Sequence, residues 1–467
     1  MRTSLHRRRF LGLLGAAAGL GATGVIGAPG ALAAPATSSR SVADDVRRET
    51  RWAWRNYVAK AFGHDQIKPV SGAAEAFFFP KGPPMGLTIV EALDTLYVMG
   101  LDAEFEQGVR WIEKNLAFDI DGEVQVFETN IRMVGGLLSG WCCTREKRLL
   151  ELARDCADRL LPAFMKSPTG IPYRFVNLKT GAVRDGVTFP AEIGTYIAEF
   201  GTLSAATGDR RYFDIAKRAV RALFDRRSRL GLVADKIDVE TGAWASRRAT
   251  IGPPSDSYFE YLWDGYQLFG DADLKHWYDV HAAAIAKHQA ERVDGRLWYR
   301  QVDFETGVLI DRHQSELASF YAGLLAQGGD MKAARDYLAS WADVQARYGV
   351  LPEGFDYGTF TATRPSNELR PEFVDSCLNL FLLAPADRWR ELAAMHYEAM
   401  KRTSRAKFGY TIIDDVTAKP MRQGDLCPGY WWSEQMKYYW LLFAEAERFD
   451  YGHNYLSTEG NIFVGLK

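Results

Sequence analysis

Seven apolar, aromatic-rich segments recur along the chain, each opened by a polar loop and an acidic residue. They are VEALDTLYVMG around Glu91, FETNIRMVGGLLSG at Glu128, AEIGTYIAEFGTLS at Glu192, SDSYFEYLWDGY at Asp256, SELASFYAGLLAQGG at Glu316, PEFVDSCLNLFLL at Glu372 and SEQMKYYWLLFAE at Glu434. From the second onward the acids lie 64, 64, 60, 56 and 62 residues apart. Self-similarity at a nearly fixed period is the mark of a repeat architecture, in which each unit buries its apolar face only against its neighbours.

Between these segments lie helices of another kind, at 43–62, 103–116, 146–164, 209–224, 272–290, 331–348 and 387–401. Each has an apolar face at i, i+3, i+4 spacing and charges on the other. A helix apolar all round is buried on most sides, whereas an amphipathic one covers it and faces water. Seven of each, in alternation, are satisfied by two concentric rings. The fold class expected is all-α, an (α/α)7 barrel, as a single domain over residues 40–467. Short hairpins are expected at one end of it. VNLKTG at 176, IDVETG at 237 and VDFETG at 302 each place a Thr-Gly turn after alternating residues. Gly135-Gly136 is expected to allow close helix packing, since it forms no phosphate loop.

If alternate helices run the same way, the inner ones all start at one end, and their acids line one funnel. A carboxylate in a first helical turn is favoured by the helix dipole, so simple capping is the plainest reading of any one of them. Caps, however, prefer Ser, Thr, Asp or Asn, and most of these acids are Glu set inside aromatic runs. A concave, acidic, aromatic-walled pocket suits a hydroxyl-rich ligand or a hard cation. Glycoside hydrolysis needs such a pair of carboxyl groups, one to protonate the leaving oxygen and one to activate water or attack the sugar. No His, Asp and Glu cluster has zinc spacing, and His64, His313 and His453 read as surface or loop residues. Trp431-Trp432 suits sugar stacking or core packing.

The first residues read as a targeting segment. Arg7, Arg8, Arg9, Phe10 and Leu11 fit a twin-arginine pattern, an apolar run follows, and Ala31-Leu32-Ala33 suits cleavage. Residues 1–33 are therefore expected to be a signal peptide and the protein to be exported, to a periplasm or the medium. Its removal takes the formal charge from −2 to −6, which argues against nucleic acid as a partner. No later run is long and apolar enough to span a membrane. The five cysteines form no C-x-x-C pair, and their odd number leaves at least one without an intrachain partner.

In order along the chain, LTIVEALDTLYVMGLDAEF, VFETNIRMVGGLLSG, SDSYFEYL, LRPEFVDS, SEQMKYYWLLF and STEGN resemble the landmarks of family 47 glycoside hydrolases, the inverting, calcium-dependent class I α-1,2-mannosidases. The resemblance spreads over most of residues 50–463 and implies the same (α/α)7 barrel. Carried over motif by motif, Glu128 resembles the general acid, working through a water. Glu372 resembles the general base, and Asp256 the third catalytic carboxylate, with either as the dominant base. Thr458 resembles the calcium ligand, through its hydroxyl and carbonyl, the other positions going to waters and to the sugar's O2 and O3. Glu192, Glu316, Glu434 and Glu459 are the candidates to hold those waters, and Arg132 and Arg370 resemble arginines flooring the pocket. The implied cofactor is Ca2+, the partner a mannose-containing oligosaccharide, and the protein a monomer.

The chain departs from the family where Glu91 replaces Asp, Asp375 replaces Glu, and Tyr430 stands where a stacking Phe is common. Gly460-Asn461 also replaces Ala-His, and Pro254 falls where a residue that sorts glycan branches is often found. Asp375 and Tyr430 are counted with the substrate-binding residues. The alternative is a mannose-binding protein without turnover on the same scaffold. A barrel lyase acting on uronic polysaccharides would call for a basic pocket instead.

Overall fold

The computed structural model describes residues 39–445, 448–451 and 453–464. The expected signal peptide lies outside them. Amphipathic helices form the outer layer: α1 (Ser39–Ala61), α3 (Asp102–Asn115), α5 (Lys147–Met165), α7 (Arg211–Phe224), α9 (Ala272–His288), α11 (Met331–Tyr348) and α13 (Asp387–Ser404). The inner layer is α2 (Leu87–Val98), α4 (126–144), α6 (190–207, interrupted at Thr195), α8 (Asp256–Phe269), α10 (316–327), α12 (Glu372–Leu383) and α14 (431–443). The sequence pattern explains the layers. In α7 only Tyr212, Ala216, Ala219, Val220 and the residues after Arg221 are buried, one stripe of a helix. In α2 every residue but Tyr97 is buried.

Each inner helix packs on the outer helix that follows it. α1 packs on α14, and α2 touches both α4 and α14, so the first and last elements close the ring. The expected (α/α)7 barrel is what forms. Gly136 makes one closure possible, because a Cβ there would lie 2.8 Å from Val90 Cγ1 and 2.9 Å from the Val90 carbonyl. Gly135 has a different role, since its Cβ would lie 2.4 Å from Asn461 Nδ2.

The two ends of the barrel differ. Short turns lead from inner to outer helices, whereas the connections from outer to inner helices carry the hairpins. Three of these share one turn chemistry. Asn177, Asp238 and Asp303 each accept, through Oδ1, the backbone N–H three residues on, ahead of a glycine with φ near +70°. The last hairpin, strands Asn454–Leu456 and Ile462–Val464, runs into the lumen instead. Asp94 on α2 accepts the Ile462 N–H, Ser139 on α4 accepts the same N–H, and Asn461 Nδ2 donates to the Ile131 carbonyl. The terminal hairpin thus plugs the ring and sets the Thr458–Gly460 turn on its axis.

Candidate active site

Capping does not explain the inner acids. Among the described residues, none of the inner helices has a side-chain hydrogen bond at its N-cap. Three of the outer helices do: Glu146, Asp271 and Asp330 accept backbone N–H groups at the starts of α5, α9 and α11. Glu91, Glu128, Glu192, Glu316 and Glu434 have side-chain partners instead, whereas Asp256 accepts the Ser257 N–H in its own first turn.

Glu128, in the first turn of α4, accepts Arg132 Nε at 2.7 Å. Arg132 Nη1 donates to Glu91 Oε1 of α2 at 2.8 Å, so one guanidinium joins two carboxylates from adjacent inner helices. Its carbon lies 5.3 Å from the Phe77 ring centre and 5.7 Å from that of Tyr430. Arg132 sits on a π turn, Asn130–Val134, and Glu434 on another, Trp431–Gln435. Such turns break the regular side-chain register and are common at functional sites. Arg370 packs on Tyr430 at 5.1 Å and is bound by Glu353 and Glu368. The Tyr430 hydroxyl donates to the Glu368 carbonyl. The tyrosine thus presents its ring to both arginines.

Glu372 and Asp256 open α12 and α8. Burial pushes the Glu372 carboxyl up to about 8 against the pull of Arg370, with Glu353 and Asp256 adding to the rise. Its Oε2 is buried with no hydrogen-bond partner among the described residues. Burial likewise lifts Asp256 to about 6. Glu316 accepts Asn367 Nδ2 while its Oε1 is buried and unpartnered. Burial, followed by Glu353 and Glu372, holds its proton affinity well up.

The terminal turn lies among further acids. The Thr458 N–H donates to Asp264 Oδ2 at 3.3 Å, and its carbonyl accepts the Tyr438 hydroxyl at 3.1 Å. Asp264 also accepts the Tyr455 hydroxyl, and burial raises it to about 7. Asp375 accepts Asn379 Nδ2 and is raised by burial to about 7. Glu260, Glu434 and Glu459 are held well above the carboxylate range, first by burial and then by one another or their acidic neighbours. For Glu260 those neighbours are Asp375, Asp264, Asp256 and Glu459, with no cation among them.

Glu192 stands apart. Arg174 Nε and Nη2 grip both its oxygens, at 2.6 and 2.9 Å, and Gln125 Nε2 adds a bond at 2.7 Å. It is a braced rim residue rather than an open carboxylate. Further along α6 lies Glu199, buried, bonded by Asn130 and Tyr261 and raised by burial to about 8. Glu199, Glu260, Asp264 and Glu353 were not singled out by the repeat. The signal for two of them was present: Asp256, Glu260 and Asp264 are spaced i, i+4, i+8 on a helix otherwise apolar. Trp431 and Trp432 are buried in a perpendicular pair, and Trp432 packs edge-on against Trp54, which places them in the core rather than the funnel. Among the described residues, no three His, Cys, Asp or Glu side chains converge as a metal-ligand set.

A model of glycosyl hydrolase family 47 matches residues 49–464. The chain is 32% identical to alpha-mannosidase I MNS5 of Arabidopsis thaliana over 449 residues, covering 90% of this chain and 77% of that protein. It is also 32% identical to mannosyl-oligosaccharide 1,2-alpha-mannosidase IB of Mus musculus, covering 90% and 69%. The alpha-1,2-mannosidase from Trichoderma reesei superposes with a TM-score of 0.83 at 23% identity, over 91% of this chain and 99% of that one. That likeness establishes the shared fold.

Proposed function

Because the chain belongs to glycosyl hydrolase family 47 and is a glycoside hydrolase, we propose that it removes terminal α-1,2-linked mannose from oligosaccharides or N-glycan-like chains, with inversion and with calcium. Its expected place of action is outside the cytoplasm, after export by the signal of residues 1–33.

The observation that carries this reading is the contrast between two carboxyl groups at the starts of inner helices. Glu128 has one oxygen fixed by Arg132 and accepts no other bond among the described residues, leaving Oε1 to carry a proton towards a leaving oxygen. Glu372 has a buried oxygen without a partner, open to a water that it would deprotonate. Two carboxyl groups in distinct environments are what acid and base work at one bond requires. Arg132, Arg370 and the Tyr430 ring between them would hold the sugar.

The terminal turn fits a hard cation. Thr458 lies against Asp264 and the Tyr438 hydroxyl, and burial, followed by Asp375, Asp264, Asp256 and Glu459, raises the nearby Glu260 carboxyl, a crowding of acids that a hard cation would relieve. Thr458 would supply the direct oxygens. Glu260, Asp264, Glu434 and Glu459 would hold its waters. A dication there would supply charge that lowers the proton affinity of nearby carboxyls and would offer coordination to sugar hydroxyls. Burial, with Glu353 and Asp256 adding to it, raises the Glu372 carboxyl to about 8, so a positive charge nearby would favour the ionised form that a base needs.

The test is mannose release from α-1,2-mannobiose, followed by NMR so that the first-formed anomer is seen. Release as the β-anomer, lost with a chelator and restored by calcium, is the expected result. Glu128→Gln should abolish turnover while mannobiose still binds. No release with calcium present would overturn the enzyme reading, and release as the α-anomer would overturn inversion.

A further inference from the structure

Away from the funnel, one cleft gathers basic side chains, with no carboxylate among the described residues that line it. It lies between the turn after α7 and the last turns of α9, with a volume of about 490 Å3. Gly231, Val280, Ala283 and Ala284 make a small, largely apolar floor, and Arg227, Arg229, Lys287 and His288 stand around it. The floor is shaped by backbone. Gly231 has φ +84°, and a Cβ there would lie 3.0 Å from Ala284 Cβ.

Basic residues near helix C-termini often serve only the helix ends. Arg227 does so, donating to the Phe224 carbonyl at 2.8 Å, and Arg300 does so to the His288 carbonyl at 3.2 Å. Arg229 and Lys287 do not; among the described residues neither has a hydrogen-bond or ion-pair partner. Other surface arginines of the hairpin end are paired: Arg184 with Glu123, Arg247 with Asp303, Arg312 with Glu291. His288 is pushed below its ordinary value by partial burial and then by Lys287 and Arg300, with no acid opposing them. The chain as a whole is acidic, at −2. The cleft is thus a local reversal of charge and not part of a basic surface.

Its position adds a second argument. α7 and α9 both end here, and outer helices end where inner helices begin, so the cleft shares the face on which the funnel opens. The hairpin at 301–311 borders it, with Gly307 placed so that a Cβ would lie 3.4 Å from His288 Nδ1.

We propose that this cleft binds a phosphate group carried on a saccharide, with Arg229 and Lys287 as the paired cations and the alanine-glycine floor beneath the sugar. Phosphate takes charge-assisted bonds from several donors at once, which a neutral glycan cannot exploit. The saccharide half rests on the mannosidase reading; the phosphate half does not.

The experiment is calorimetric titration of the resting protein with mannose 6-phosphate, inorganic phosphate and mannose, in low and in high salt. Mannose 6-phosphate should bind in low salt, and inorganic phosphate more weakly. The double variant Arg229→Ala with Lys287→Ala should bind mannose 6-phosphate at least about tenfold more weakly, since one charged contact is worth roughly that factor. The control, Lys147→Ala with Arg148→Ala, removes two charges at the opposite end of the barrel and should leave binding unchanged. Equal binding by wild type and the cleft variant overturns the site, as does equal loss in the control or no binding at all. Inorganic phosphate binding as tightly as mannose 6-phosphate overturns the saccharide half. Binding is read without turnover, so an inactive protein would sink the enzyme reading and leave this test standing.

Discussion

Glu91 shows how tightly single residues are set around the proposed acid. Its Oε1 takes Arg132, and its other oxygen lies where a side chain on Gly429 would go: a Cβ there would fall 1.5 Å from Oε2. Glu91 is buried, and the oxygen in the way is the far end of its side chain, so that carboxylate is what must shift. Gly429→Ala should therefore displace Glu91, loosen Arg132 and misplace Glu128. Misplacement by about 1 Å costs on the order of 100-fold in rate, so kcat/KM on mannobiose should drop by 10-fold or more, roughly, while the protein stays folded by circular dichroism. Wild-type activity in this variant would show that Glu91 does not position the acid. The charges that open this network, Glu128 and Arg132, were legible in the sequence because two charges at the head of an apolar helix have no packing reason to be there. Glu353 was not, because it lies in a loop between α11 and α12, where an acid looks like any solvated residue. Its burial and its grip on Arg370 arise only when the ring closes.

At the level of elements, the repeat made the two rings readable but said nothing of what fills the lumen. The terminal segment lies outside the helical period, and short strands of three residues leave little pattern. Its docking depends on charges hidden inside two apolar helices. Asp94 of α2 accepts Lys437 Nζ at 2.6 Å, Ser139 Oγ at 2.6 Å and the Ile462 N–H at 3.2 Å. Lys437 of α14 is fully buried and also donates to the Gly460 carbonyl. One ion pair thus ties α2 and α14 to the turn that carries Thr458. Removing one partner leaves the other charge buried and uncompensated, at a cost of about 3–5 kcal/mol. Asp94→Ala should lower the unfolding free energy by that margin in a denaturant titration, and Asp94→Asn, which keeps an acceptor, by less. The Asp94→Ala protein that still folds should lose its melting response to calcium, because the turn is no longer held. An unfolding free energy within about 1 kcal/mol of wild type would show that the pair is not what seats the hairpin.

Across the whole molecule, the inner ring concentrates acids that the fold itself resists ionising. Asp256 is lifted by burial to about 6, Asp264 and Asp375 to about 7, and Glu199 and Glu372 to about 8. Unfolded, the same groups titrate near 4. Between about pH 4 and 8 the folded state therefore holds more protons than the unfolded one, and stability falls as pH rises through that window. The surface pairs work in the other direction but finish lower down; Arg247 holds Asp303 at about 2. A dication bound at the terminal turn favours the ionised carboxyls, so its stabilisation should grow over the same range. The expected result is that chelated protein melts at a lower temperature at pH 7.5 than at pH 5.5, while calcium-saturated protein shows a smaller difference. The calcium-induced rise in Tm should accordingly be larger at pH 7.5. A calcium shift equal at the two pH values would mean that the cation binds away from these acids. A chelated protein more stable at pH 7.5 than at pH 5.5 would mean that the inner acids are not what limits the barrel.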